Sequence, residues 1–253
     1  MKKHIYIFVA FLVLSFCFYS CDTDKNRCMK STGEIKSEKF NLESFSKVQI
    51  KSDFDITLIS GDEYSLIINC GENLIPYINR EIKGNELILE NKNTCEWLRK
   101  REKPKLTITC PNLKEITIYE TCDLKSLDSL YFTTLSIQNW AGIFTTDMIL
   151  SGDSLFFRSH ASTGDYKLEG RCNYAYIYNV GNGYLKARKL FCNYIHAVHK
   201  SLGDSEVNPS KRLFIEEIKY GKLYSFGTEC PEIISDADEG WEKLFENIGC
   251  GGS

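Results

Sequence analysis

The chain has 253 residues, 31 basic against 34 acidic, a formal charge of −3, 43% apolar residues and only 5 prolines. That composition is too apolar for disorder, and with no basic stripe or aromatic–arginine run it argues against a nucleic-acid binder. An ordinary glycine content and the lack of a second long apolar run exclude collagen and a polytopic membrane protein.

Residues 1–20 have the three parts of an export signal: Lys2 and Lys3, an apolar stretch from Ile5 to Phe18, and the small Ser20. As a helix the stretch reaches roughly 21 Å, short of a bilayer core of about 30 Å, so it reads as a cleaved leader. Its removal takes both lysines and lowers the charge to −5. Phe18-Tyr19-Ser20-Cys21 resembles a bacterial lipobox, although an aliphatic residue is usual at Phe18 and a small one at Tyr19. The resemblance implies a lipoprotein, lipidated on Cys21 and held to a membrane by that lipid. A plain cleaved signal is the alternative. Asp22 and Asp24 are similar to an acidic surface-export tag, interrupted by Lys25 and Arg27, so surface and periplasmic display both stay open. Residues 21–39 read as a tether.

From 40 to 111 the pattern is an N-terminal β region of hairpins. Val48-Gln49-Ile50 and Asp55-Ile56-Thr57-Leu58 alternate, and Ser60 to Glu63 reads as a turn before Leu66-Ile67-Ile68. Gly84-Asn85 between Ile82 and Leu87 is a hairpin signal. Residues 94–104 form a polar excursion before Leu106-Thr107-Ile108-Thr109.

Residues 112–234 carry a repeat of about 20 residues. Its triplets are Ile116-Thr117-Ile118, Leu135-Ser136-Ile137, Leu155-Phe156-Phe157, Ala175-Tyr176-Ile177, Ile195-His196-Ala197 and Leu213-Phe214-Ile215. Asp123, Gly142, Gly164, Gly183, Gly203 and Gly221 follow them at bends, where glycine supplies positive φ. Helical repeats are longer, and the asparagine ladder of a leucine-rich repeat is missing. Period-two triplets with turn glycines specify an all-β chain: a right-handed parallel β-helix, or β-solenoid, with rungs about 4.8 Å apart. Beyond it, Trp241, Leu244, Phe245 and Ile248 share one face of a helix over 235–249, N-capped by Ser235 or Asp236 and ended by Gly249. That helix would cap the open end of the coil, and 250–253 is a tail.

Little in the chain points to catalysis. His160, His196 and His199 sit at different offsets of the repeat, and no triad, phosphate loop or metal-spaced cluster appears. No cofactor is expected. Asp123, Asp165 and Asp204 come from bends, where aspartate is usually a turn former. Cys172 and Cys192 should stack on adjacent rungs; a bridge is within reach there, but parallel side chains strain it, and free thiols are the favoured reading. One outward ladder is unusual: Phe156, Tyr176, His196 and Phe214 are its rings, with Tyr119, Arg158 and Tyr178 on the next ladder. Such a row reads either as a stack that stabilises the coil or as a candidate binding strip for glycan or an envelope or host surface protein.

The segments Phe45-Ser46-Lys47-Val48-Gln49-Ile50, Phe54 to Asp62, Asn73 to Ile78, Leu106 to Lys114 and Gly221 to Gly227 together resemble one family. It is that of the putative auto-transporter adhesins with a head GIN domain, common among Gram-negative lipoproteins. The likeness spans roughly residues 40–235 and departs from the family at the bends, usually Ser-Gly-Ala-Gly but here Glu120-Thr121-Cys122-Asp123. It implies a β-helix-like, non-enzymatic adhesion or binding module at the cell envelope and carries over no catalytic residue. A polysaccharide-active β-helix enzyme and a purely structural envelope protein are the alternatives.

Overall fold

A computed structural model describes residues 31–93, 103–227, 231–236 and, for the backbone alone, 241–245. The leader, the lipobox with Cys21 and residues 246–253 lie outside the described residues.

The period-two triplets fold as expected into strands of a β-solenoid of about six turns. The coil is built from β8 (Glu115–Ile118), β9 (Cys122–Asn139), β10 (Phe144–Ser162), β11 (Asp165–Gly181), β12 (Tyr184–Ser201) and β13 (Ser205–Ile218). Each of β9 to β13 runs through most of a turn. The bends appear as register slips, such as those between Asp147 and Ile149 and between Lys167 and Glu169. All neighbours in this run are parallel. The 20-residue step therefore stacks Leu135, Leu155, Ala175, Ile195 and Leu213 in one inward column, and Ile137, Phe157, Ile177, Ala197 and Ile215 in the next. All ten are buried. Burying a branched or aromatic side chain in such a column is worth about 1.5–3 kcal/mol, which makes these columns the main stabilising element.

The first repeat is out of phase with the triplet alignment. Ile116 pairs with Ile137 and Thr117 with Gln138, two residues later than the triplets suggest. A slip of two preserves which residues face inward, so the core assignment survives while the outward ladders shift.

Three positions require glycine, for two different reasons. Gly164 and Gly170 have φ of 152° and 112°, and a Cβ there would lie 1.8 Å from the Phe144 carbonyl oxygen and 2.0 Å from that of Leu150. Gly183, by contrast, has no positive φ. A Cβ at that residue would meet the Tyr166 hydroxyl at 2.3 Å, so packing rather than backbone freedom selects it.

A polar column runs inside the coil beside the apolar ones. Asn139, Ser159, Asn179 and His199 are stacked in register and buried. Ser159 Oγ donates to Tyr166 Oη at 3.0 Å, and Asn179 Nδ2 donates to Ser205 Oγ at 3.1 Å. Ser205 Oγ also lies 2.9 Å from His199 Nδ1. These bonds offset part of the cost of burial, while Asn179 Oδ1 and His199 Nε2 find no hydrogen-bond partner among the described residues.

The N-terminal head continues the same sheet. It comprises β1 (Ile35–Asn41), β2 (Lys47–Ile50), β3 (Phe54–Ser60), β4 (Ser65–Gly71), β5 (Ile78–Lys83), β6 (Glu86–Asn91) and β7 (Lys105–Cys110). β3 lies parallel to the first part of β9, and β2 parallel to β8, so the head adds rungs to both walls. Beyond them the pairing turns antiparallel, β4 on β7 and β1 on β4 on one wall, β5 on β6 on the other. The head is thus not a run of hairpins. β5 and β6 form one over Gly84 (φ 63°), but β7 separates β3 from β4. The last part of the expected tether is also strand, since β1 begins at Ile35. Its edge is rich in Lys and Glu, which discourages further pairing.

The expected C-terminal helix is not formed. After β14 (Leu223–Gly227) and β15 (Glu232–Ser235), residues Trp241–Phe245 make a strand, β16, parallel to β14. The helical spacing of four apolar residues is a weak preference. The unpaired edge of β14 offers a full row of backbone partners, and that edge prevails. Among the described residues there is no α-helix, only a 3-10 turn at Ile75–Tyr77.

Candidate binding face

The outward side chains of the second half of each turn form one continuous face. Phe156, Tyr176, His196 and Phe214 are paired in register on β10 to β13, as the repeat requires. Among the described residues each is half-buried. The ring centroids of Phe156 and Tyr176 are 6.5 Å apart, those of Tyr176 and His196 4.9 Å, and those of His196 and Phe214 4.8 Å. The last two pairs meet edge to face, an arrangement worth about 0.5–1.5 kcal/mol each. The ladder therefore contributes stability and remains accessible.

Arg158 and Tyr178 are paired in the next column. The Arg158 guanidinium lies 5.2 Å from the Phe156 ring and 5.0 Å from that of Tyr176. It is held by cation–π attraction and by a 3.5 Å hydrogen bond donated to Ser136 Oγ. Thr117 heads this column rather than the ring column, a consequence of the two-residue slip. Tyr119 belongs one column further out, because Ile118 pairs with Asn139 and so sets Tyr119 beside Trp140.

Four more rings share the face and are not singled out by the triplets. Tyr174 and Tyr194 form a column two residues before Tyr176 and His196, and the Tyr174 ring lies 6.0 Å from that of Phe156. Trp140 stacks flat on His160, 3.8 Å away at 4°, and His160 in turn lies 5.1 Å from Tyr178. Half of the Trp140 surface is exposed (51%), the most open ring of this group. The repeated Cys-Asn-Tyr unit carries the signal for the two tyrosines. Nothing repeats around Trp140.

The electrostatics of the face are mild. Burial raises the phenols of Tyr174 and Tyr176 above their ordinary value, with Glu216 adding to the effect on Tyr176. Burial and then Arg158 lower the His160 imidazole, so it is neutral at physiological pH. His196 Nε2 meets Glu216 at 2.7 Å, and Lys200 pairs with Glu217 along the rim. The result is a broad apolar platform with hydrogen-bonding hydroxyls, one guanidinium and a charged border.

The bend aspartates give a different picture on the other wall. Asp123 and Asp165 line a groove with Asp55, Lys125, Asp147, Lys167 and Lys186. Lys103 sits among its carboxylates, 3.0 Å from Asp53, 3.0 Å from Asp123 and 3.9 Å from Asp55. Burial, and then hydrogen bonding with Asp123 and its charge, raise the Asp55 carboxyl. Among the described residues no set of three acidic, histidine or cysteine side chains converges as a metal site. Lys103 occupies the place a cation would take, and its bridge joins head to coil. Asp204 stays apart and accepts a hydrogen bond from the Lys222 backbone at 2.9 Å, the turn role expected of it. The three histidines do not meet: His199 is 1% exposed inside the coil, while His160 and His196 stand in separate outward columns.

Solved structures share this architecture. A "putative adhesin" from Bacteroides fragilis superposes with a TM-score of 0.71 at 21% identity, covering 83% of this chain and 97% of that one. A "putative lipid binding protein" from Parabacteroides distasonis follows at 0.61 and 15%, covering 85% and 98%. A "putative adhesin" from Parabacteroides merdae gives 0.57 and 16%, covering 85% and 98%. At these identities the likeness establishes the fold alone. No curated protein matches the chain. Residues 44–228, which span the head from β2 onward and the whole of the coil, match the family described as "Putative auto-transporter adhesin, head GIN domain", and the chain belongs to that family.

Proposed function

We propose that this protein is a non-enzymatic binding module of the cell envelope, anchored in the outer membrane through lipid on Cys21. Its ligand surface on this reading is the face bearing Phe156, Tyr176, His196, Phe214, Arg158 and Tyr178, and the ligand class is glycan. One observation carries the reading. Rings on successive rungs, about 4.8 Å apart, form a continuous row of tilted and edge-to-face rings that is only half-buried and that ends in the exposed ring of Trp140. Sugar C–H faces stack on such rings, while Arg158 and the tyrosine hydroxyls supply directional hydrogen bonds. The family and its adhesin-like neighbours support a binding role and an envelope location in general terms.

Binding without turnover on a glycan array is the expected result, and a Phe156→Ala, Tyr176→Ala double variant should abolish it while keeping its melting temperature within a few degrees. Loss of fold with binding per folded molecule unchanged would assign the rings to stability alone. Turnover in a reducing-sugar or lyase assay would instead favour a polysaccharide-active enzyme using the Asp55–Asp123 groove. Silence in both assays would leave a structural role, or a protein partner. Metabolic labelling with a clickable fatty acid tests the anchor; the label should vanish in Cys21→Ala.

A further inference from the structure

Cys172 and Cys192 occupy equivalent places on consecutive turns, paired in register between β11 and β12. They are 7% and 1% exposed, and their Sγ atoms lie 2.8 Å apart. That is a full ångström closer than the 3.8 Å between Cys192 Sγ and the Leu190 carbonyl oxygen. Ladder hydrogen bonds hold the two strands together here. Beside the thiols, Asn193 Nδ2 donates to Asn173 Oδ1 at 2.9 Å and Ser210 Oγ donates to Asn193 Oδ1 at 3.0 Å. The column offers no third thiol, since Gly152 pairs with Cys172 on one side and Pro209 with Cys192 on the other. A cavity of about 490 Å³ opens onto this spot, and both cysteines line it.

We infer that Cys172 and Cys192 are a two-thiol modification site that closes to a cross-rung disulfide by exchange with an oxidant of the disulfide class, reached through this cavity. One cysteine sulfur gives up its proton and attacks a sulfur of the oxidant. The oxidant's S–S bond breaks, and one half leaves as a thiol carrying a proton. The second cysteine then attacks the mixed disulfide, forms the Cys172–Cys192 bond and releases the other half as a second thiol. Two electrons pass from the pair to the oxidant, and both protons end on the released thiols. Hydrogen bonding to Cys172 and burial push the Cys192 thiol well above its ordinary value, so little thiolate stands ready and the exchange is slow. The closed pair staples one rung to the next across a 20-residue loop and constrains the unfolded chain accordingly.

A peptide map tests this without any substitution. Trypsin places the two cysteines on separate fragments, Cys172–Lys186 and Leu190–Lys200. The full chain, exported in a Gram-negative envelope, is alkylated in denaturant without reductant and digested. In a second arm, reduced chain is treated with oxidised glutathione. The expected product is one cross-linked species, lighter by about two hydrogens than its parts and lost on dithiothreitol. Reduction should also lower the melting temperature by roughly 5–10 °C, a difference absent in Cys172→Ser and Cys192→Ser. A link made by glutathione supports closure by a small disulfide, and a link found only in the exported chain assigns closure to an envelope oxidoreductase. Singly alkylated fragments in both arms, or a glutathione adduct that never resolves to the link, overturn the inference.

Discussion

The head and the coil bury their cores in one cluster but reach it by different routes. In the coil, β9 to β13 follow one another in sequence and in space, each paired with the strand 20 residues away. In the head, β3 is paired with β7 and β9, and β2 with β6 and β8, partners that lie far along the chain. The contrast has a consequence for the ends. A parallel coil cannot close itself, because each turn leaves a strand edge. The head solves this with antiparallel strands, β5 on one wall and β4 with β1 on the other, finishing on a charged edge. At the far end the described residues add one more parallel strand, β16 on β14.

The sharpest way to break the coil is to put a charge in an inward column. Ile177→Asp should cost about 4 kcal/mol or more and unfold the chain in a denaturant melt, while the adjacent outward change Tyr176→Ser, which gives up ring contacts only, should cost about 1–2 kcal/mol. Equal effects would mean that the inward and outward assignment is wrong. Next in size, Gly164→Ala should cost about 3 kcal/mol, since both its φ and the approach of the Phe144 carbonyl oppose a side chain.

The buried polar column predicts a pH effect confined to the coil. Burial lowers the His199 imidazole from its ordinary 6.5 to about 4. Between these values the unfolded chain binds a proton that the folded chain refuses, so stability present above pH 6.5 is lost as pH falls toward 4. The loss should approach about 3 kcal/mol. It is read as the difference in pH-dependent stability between the native chain and His199→Gln; parallel profiles would remove His199 as the cause. The smallest effect belongs to the head. Gly84→Ala meets nothing within 4 Å and carries only the left-handed backbone penalty, about 1 kcal/mol in the same melt.

What was legible in the sequence follows from what repeats. Six triplets spaced 18 to 20 residues apart reveal strand and parity, and the last five reveal register, because a period of two sorts inside from outside and a period near 20 sorts neighbours. The column of Phe156, Tyr176, His196 and Phe214 could therefore be named from residues alone. Trp140 stands opposite His160 by the same 20-residue register that pairs Asn139 with Ser159, but no repeated residue marks it; only Tyr119 beside it depends on the two-residue slip that the triplets conceal. The polar column was equally hidden. Asn139, Ser159, Asn179 and His199 read as polar, and ordinary propensity sends such residues outward.

By itself the sequence determined the strand type, the rung length, the inward columns and the outward row of rings, all of them local or strictly periodic properties. Only the tertiary structure decided how the ends are treated and which groups meet across turns. Trp241 to Phe245 became a strand because β14 presented an open edge, β7 entered between β3 and β4, and Lys103 came to bridge head and coil. Each outcome rests on unpaired backbone or charge that must find a partner. Where that partner lies far along the chain, no pattern within a single segment encodes it.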